Sequence, residues 1–139
     1  MTIQVDYDAQ HGWTTAGTNY SNRPFSNITV RASGATLTPS ANFWALVDTG
    51  ADYLCLDSAV ATSLGISLSH PARYVSIATA LGSKSAIPLV TVNLEMEGYW
   101  ADVDAIFDSA FHTPLVGRCA LLDVIKFGVD LTGWLFAKA

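Results

Sequence analysis

Charge is scarce in this chain of 139 residues, where only 14 % are Asp, Glu, Lys or Arg. The seven Lys and Arg are scattered, form no basic stripe, and leave a net charge of −5. A surface that tracks phosphates needs clustered cations, so nucleic acid is excluded as a partner. Apolar runs are short. None approaches the roughly 20 residues that cross a bilayer, so no membrane partner is expected. Only two cysteines occur, Cys55 and Cys119. Two cannot staple a secreted scaffold, and they read as free, buried thiols in a reducing compartment. Met1–Gln10 is polar and has neither the cationic nor the apolar segment of a signal peptide. The expected location is cytoplasmic.

Several chemistries are missing as well. His11, His70 and His112 stand in unrelated contexts, and none lies at metal-ligand spacing with the cysteines. Asp102, Asp104 and Asp108 lack the Gly and distal Glu of a calcium loop and read as a solvated strand face. There is no Gly-x-Ser-x-Gly elbow and no phosphate loop. No metal and no cofactor are expected.

What is present is apolar. Half of the residues are hydrophobic and 11 % are aromatic, with a mean hydropathy of +0.32. That suffices for one core in one domain without a disulfide or metal. So little charge fits a protein that hides apolar surface in an oligomer.

The pattern is mostly β. Residues 1–26 read as an N-terminal strand, Thr2–Tyr7, followed by an irregular arm over His11–Pro24. Residues 27–139 read as the main domain. Asn27–Ala32 alternates as a strand, and Gly34–Asn42 is turn-forming. Phe43–Val47 is a continuous apolar run, as in a strand buried on both faces. Tyr53–Leu56 is a short strand. Asp57 offers an N-cap to a helix over Ser58–Leu64, which Gly65 stops. Arg73–Ala80 and Ala86–Met96 form a hairpin around a polar turn at Leu81–Ser85. Tyr99–Phe107 alternates. Arg118–Ile125 fits a second short helix, and Val129–Leu131 and Trp134–Phe136 close the chain as strands. Brief strands and frequent turns predict a small closed or sandwiched β architecture.

The informative segment is Ala45-Leu46-Val47-Asp48-Thr49-Gly50-Ala51-Asp52. An apolar strand runs directly into a carboxylate, although Asp is a poor strand residue and costly to bury. Thr can brace a loop through its hydroxyl, and Gly permits a turn that a Cβ would block. Taken alone, the segment fits an ordinary turn as well as a functional carboxylate. About 70 residues downstream comes Pro114-Leu115-Val116-Gly117-Arg118-Cys119, two apolar residues, Gly and Arg at a helix start.

Together, at this spacing, the two segments resemble the retropepsins: retroviral aspartic proteases and their bacterial and cellular relatives. The resemblance covers about Asn27 to Leu131. It implies a small closed β-barrel with a flap hairpin over about Ile77–Ile87. It implies that Asp48 is the catalytic aspartate, that the Thr49 hydroxyl bonds across a two-fold axis, and that the Gly50 carbonyl faces substrate. Ala51, Asp52, Cys55 and Leu115 would meet substrate, as would Leu81, Gly82 and Ser83 at the flap tip. Arg118 would pair with Asp52. That pair is expected to be partly buried, so that breaking it costs roughly 3–5 kcal/mol. The flap tip carries one Gly where viral flaps carry several, and Cys119 stands where Asn or Asp is usual.

Aspartic proteolysis needs two carboxylates that share a proton. The chain has one Asp-Thr-Gly, and Phe107-Asp108-Ser109-Ala110 lacks the glycine and reads as a surface turn. One chain therefore supplies half a site, and the expectation is a homodimeric endopeptidase acting on peptide or protein substrates. Thr2–Tyr7 and Phe127–Phe136 are the expected interface, with Trp134, Leu135 and Phe136 as an apolar tail too costly to leave in water. The alternative is a dimeric peptide-binding or scaffolding module with the same groove and no cleavage.

Overall fold

The computed structural model describes residues 7–12, 23–34, 39–79, 82–129 and 131–139. The strand expected at Thr2–Tyr7 and the flap-tip residue Leu81 lie outside the described residues, apart from Tyr7 itself. Within them the chain is mostly β, with ten strands and two helices.

The larger sheet begins with β2 (Phe25–Ala32) and β3 (Ser40–Val47), an antiparallel pair with Phe25 opposite Leu46 and Arg31 opposite Ser40. On β2, Ile28 and Val30 point into the core while Asn27 faces water, the alternation expected of a half-covered sheet. Only the last residues of β3, Ala45–Val47, are fully enclosed. The expected two-sided burial of Phe43–Val47 thus holds for three residues. Trp44 is exposed because the outer face is open there, and its ring stacks on Phe25 at 5.8 Å.

The next strands fit together out of chain order. β4 (Leu54–Leu56) pairs parallel with β7 (Tyr99–Phe107) and antiparallel with β8 (Leu115–Val116). β8 in turn runs parallel to β3, with Val47 opposite Val116. β5 (Arg73–Thr79) pairs only with the first part of β6 (Gly82–Met96). The last part of β6 pairs with both β7 and β2. The order is β2-β3-β8-β4-β7-β6-β5, and the β2–β6 pairing returns it to its start. Six strands therefore form a hydrogen-bonded circuit around the core, with Ile28, Leu54, Leu94, Met96 and Phe107 buried.

The β5–β6 hairpin differs from its expected form. The ladder continues to Thr79 opposite Gly82, so most of the predicted turn at Leu81–Ser85 is strand. A register shift makes this possible: Val75 faces Ile87, but Ile77 faces Lys84. β6 carries one extra residue there, a β-bulge, and Ala86 takes the left-handed φ of +57°. At the other end of β6, Glu97 and Gly98, at φ +55° and +79°, form the two-residue connection to β7.

Both helices are short. α1 (Ser58–Ser63) starts where the Asp57 carboxylate accepts from Ala59 N at 3.0 Å, and Gly65 follows it at φ +69°. α2 (Arg118–Val124) packs Ala120, Leu121 and Val124 inward.

A second, three-stranded sheet has the order β1 (Ala9–Gly12), β10 (Gly133–Lys138), β9 (Ile125–Val129). Two expectations change here. The expected arm at His11–Pro24 begins as strand, since His11 and Gly12 pair with Trp134 and Gly133. The expected strand at Val129–Leu131 lies earlier, because Ile125 is already extended and buried against Lys138 while Leu131 is 99 % exposed. Trp134 and Phe136 are buried in their own chain, Phe136 stacked on the His11 ring and Trp134 tilted against it. They are core, not an exposed tail. The sheet is tied to the larger one by Glu97, whose Oε2 lies 2.9 Å from His11 Nε2 and whose Oε1 accepts from Ser26 Oγ at 2.6 Å.

Gly133 sits where a Cβ would overlap the His11 carbonyl oxygen and come within 2.9 Å of Gly12 Cα. Gly133→Ala should push β1 off β10 at a cost of about 1–3 kcal/mol. The expected readout is a lowered urea midpoint, with faster amide exchange in β1 and unchanged exchange in β6 and β7.

Candidate active site

Asp48 stands just beyond the buried end of β3. Its main-chain N–H donates to Val116 O at 3.0 Å, which carries the β3–β8 pairing one residue past the strand. Its Oδ1 accepts from Gly50 N at 2.9 Å, and Ala51 N donates to Asp48 O at 3.1 Å. The carboxylate thus folds its own loop as an Asx turn. Asp48 is half-buried, and Thr49 and Gly50 are exposed.

The Asp108 turn repeats this geometry at the end of β7. Ala110 N donates to Asp108 Oδ2 at 3.0 Å, and Phe111 N to Asp108 O at 3.1 Å. The surface-turn reading holds for its shape. Asp108 is nevertheless not on a solvated face: its side chain is 16 % exposed, and Lys84 Nζ donates to its Oδ2 at 2.7 Å. Chiefly through that bond, Lys84 holds the Asp108 carboxyl below the ordinary carboxylate range.

The loop after Asp48 is fixed to the start of α2 main chain to main chain. Gly117 N donates to Tyr53 O at 3.0 Å, Arg118 N to Ala51 O at 2.9 Å, and Cys119 N to Asp52 O at 2.9 Å. No side chain caps this helix. Its first N–H groups, which a helix cannot satisfy internally, are met instead by loop carbonyls. Cys119 therefore needs no capping side chain. The approach requires glycine, since a Cβ on Gly117 would lie 2.7 Å from Tyr53 N and 2.8 Å from Ala51 O.

The Arg118 guanidinium also donates to Asp52 Oδ1. The pairing is as expected, but its burial is not: the two side chains are 58 % and 62 % exposed. Loss of one partner leaves the other in water rather than stranded. The pair is worth about 0.2–1 kcal/mol, well below the cost expected for a buried one.

Beside Asp48 opens a cleft of about 470 Å³. Asp48 and Gly50 line it, as do the exposed Asp52 and Arg118. Cys55, Ile106 and Leu115 supply apolar lining, Ile77 comes from the β5–β6 hairpin, and Phe111 comes from the Asp108 turn. Cys55 and Ile106, with Ile87 and Leu89, form an apolar cluster of their own, on which Ile77, Phe111 and Leu115 pack. Of the expected site residues, Asp48, Gly50, Ala51, Asp52, Cys55, Leu115 and Arg118 line this cleft. Thr49 lines a smaller opening on the other side of Asp48, with Val47, Phe127 and Val129. Gly82 and Ser83 are exposed strand residues that do not line the cleft.

Sequence reasoning missed Tyr53, Ser76, Ile106 and Phe111 as lining residues. Phe111 left a signal, an aromatic residue in an otherwise polar turn. Ile106 left none, because on an alternating strand it belongs to the face opposite Ala105 and Phe107.

Cys55 is buried, and its thiol donates to Tyr53 O at 3.4 Å. Burial first, then the negative charges of Asp48 and Asp52, push its pKa up to about 12. Cys119 is free and exposed, contrary to the expectation of two buried thiols, because it lies on the outer side of α2 beside Arg118. Among the described residues, no group of three or more His, Cys, Asp or Glu is placed to hold a metal ion, and no helix is long and apolar enough to cross a membrane.

The family described as gag-polyprotein putative aspartyl protease matches residues 40–121, from the start of β3 into α2. No curated protein matches the chain.

The two thiols should react very differently. At pH 8 a thiol with a pKa near 12 is ionised to about one part in ten thousand, and the thiolate is the nucleophile. A disulfide reagent should therefore titrate one thiol per native chain and a second only after denaturation. Cys119→Ser should remove the native reaction.

Proposed function

Because the chain belongs to this aspartyl protease family, we propose that it is a homodimeric aspartic endopeptidase with one Asp48 from each copy on the two-fold axis. The carrying observation is a half-buried carboxylate held at the tip of an enclosed strand, lining a cleft of mixed polar and apolar side chains. The strand circuit is read as the family's small barrel and the β5–β6 hairpin as its flap.

A dimer follows from stoichiometry. Each chain brings one Asp-Thr-Gly. Asp52 is engaged with Arg118, and Asp108 with Lys84. The missing carboxylate then comes from a second copy, in an isologous contact. The opening beside Thr49, with Phe127 and Val129 on its wall, supports an interface on that side. Val129 is 60 % exposed, and this apolar surface takes the place of the tail that is buried as core.

In the reaction, one Asp48 carboxylate takes a proton from water as the oxygen attacks the scissile carbonyl carbon. The other, protonated, donates to the carbonyl oxygen. Collapse of the tetrahedral species breaks the C–N bond, and the leaving amine takes a proton from the dyad. Thr49 braces the paired loops across the axis. The Gly50 carbonyl and Asp52 receive substrate main chain, Arg118 holds Asp52, and Ala51, Cys55 and Leu115 meet apolar side chains. Leu81, Gly82 and Ser83 close over an extended peptide bound by strand-like hydrogen bonds. No cofactor takes part.

Incubation with a diverse peptide library at several pH values tests this reading. Asp48→Asn should fold and associate normally, with hydrolysis reduced by at least about 10²–10⁴-fold. Full turnover in that variant would remove Asp48 from the mechanism. Peptide binding without cleavage by the wild type would assign the scaffolding alternative.

Sedimentation should show a dimer, and Val129→Glu should weaken association while leaving the circular dichroism spectrum unchanged. A monomeric wild type at high concentration would sink the shared site.

A further inference from the structure

We infer that Lys84 and Asp108 form a clasp that fixes the β5–β6 hairpin over the cleft, making both of them positioning residues for substrate entry. The inference rests on the protease reading for its substrate, but its structural part stands without it.

The first observation is the bond itself. Lys84 Nζ donates to Asp108 Oδ2 at 2.7 Å, joining the outer part of the hairpin to the turn after β7. The second is where its ends are anchored. Lys84 lies opposite Ile77 in the ladder, and Ile77 lines the cleft. Asp108 opens the turn that carries Phe111, and Phe111 lines the same cleft. The clasp therefore spans two walls of one cavity.

The third observation is the preparation of the carboxylate. The Asp108 side chain is 16 % exposed, and its Oδ2 already accepts from Ala110 N, so swinging away from Lys84 would give up that bond as well. The bulge at Ala86 completes the arrangement, because the shifted register sets Lys84 opposite Ile77 beside the pair Val75–Ile87. The arm that needs holding is exposed at every residue from Gly82 to Ala86. A pair with a half-exposed lysine is modest in strength, which suits a closure that must open again.

The test is a double-mutant cycle of Lys84→Met and Asp108→Asn in the full chain. Asn keeps an acceptor for Ala110 N while removing the charge. Each single variant should speed amide exchange across 73–79 and 82–86 about two- to fivefold relative to β7, and the double variant should be no faster than either single one. With a cleaved peptide, KM should rise by a similar factor while kcat is unchanged. Hairpin exchange at the wild-type rate in Lys84→Met, or additive effects in the double variant, would overturn the clasp. Failure of the wild type to cleave any peptide would remove the protease reading, and the exchange data would still decide the clasp.

Discussion

The backbone contact between residues 51–53 and 117–119 governs the site. Three helix N–H groups find their acceptors in the loop that follows Asp48. α2 has no capping side chain, and the carbonyls of Ala51, Asp52 and Tyr53 take that place. Gly117 is buried, and leaving its amide unpaired would cost roughly 1–3 kcal/mol, which favours closure of the two segments together. Gly117 makes the approach possible, and β8 just before it runs beside β3. The position of Asp48 is thus set from two sides, by the strand that delivers it and by the helix that receives its loop.

The few charges are placed as ties between elements. Arg118 joins α2 to the loop at Asp52, Lys84 joins the hairpin to the Asp108 turn, and Glu97 joins His11 of β1 to Ser26 of β2. Asp8 does the same near the chain ends, accepting from Tyr99 OH at 2.6 Å and Lys138 N at 2.9 Å. The cleft sets carboxylates beside apolar side chains, and burial together with the charges of Asp48 and Asp52 keeps the Cys55 thiol protonated.

Much of this was legible in the sequence. Asp57 and Gly65 marked α1, and the alternation of Tyr99–Phe107 marked β7 to the residue. The Asp48 and Gly117 segments were legible because each carries a residue type that a plain strand would avoid. Other features were hidden for identifiable reasons. Lys84 and Ser85 look like turn residues, yet a bulge keeps them in the ladder, and propensity gives no sign of a bulge without glycine. Trp134 and Phe136 looked like surface because they lie near the chain end, but β1 and β9 flank them. The exposure of Arg118 and Asp52 follows from where the cleft meets water, a property of packing that no spacing encodes.

The bulge has a consequence for how the hairpin can vary. Side chains on a strand alternate between faces with period two, and the extra residue at Ala86 shifts that count by one between Ile87 and Lys84. Deleting a single residue there would restore the ordinary alternation. Lys84 would then stand two positions from Ile87 and keep its face, still opposite Ile77, with a single residue between them on the other face. The arm can therefore lose one residue at the bulge without turning over: the kink goes, and the pairing of Lys84 with Ile77 stays.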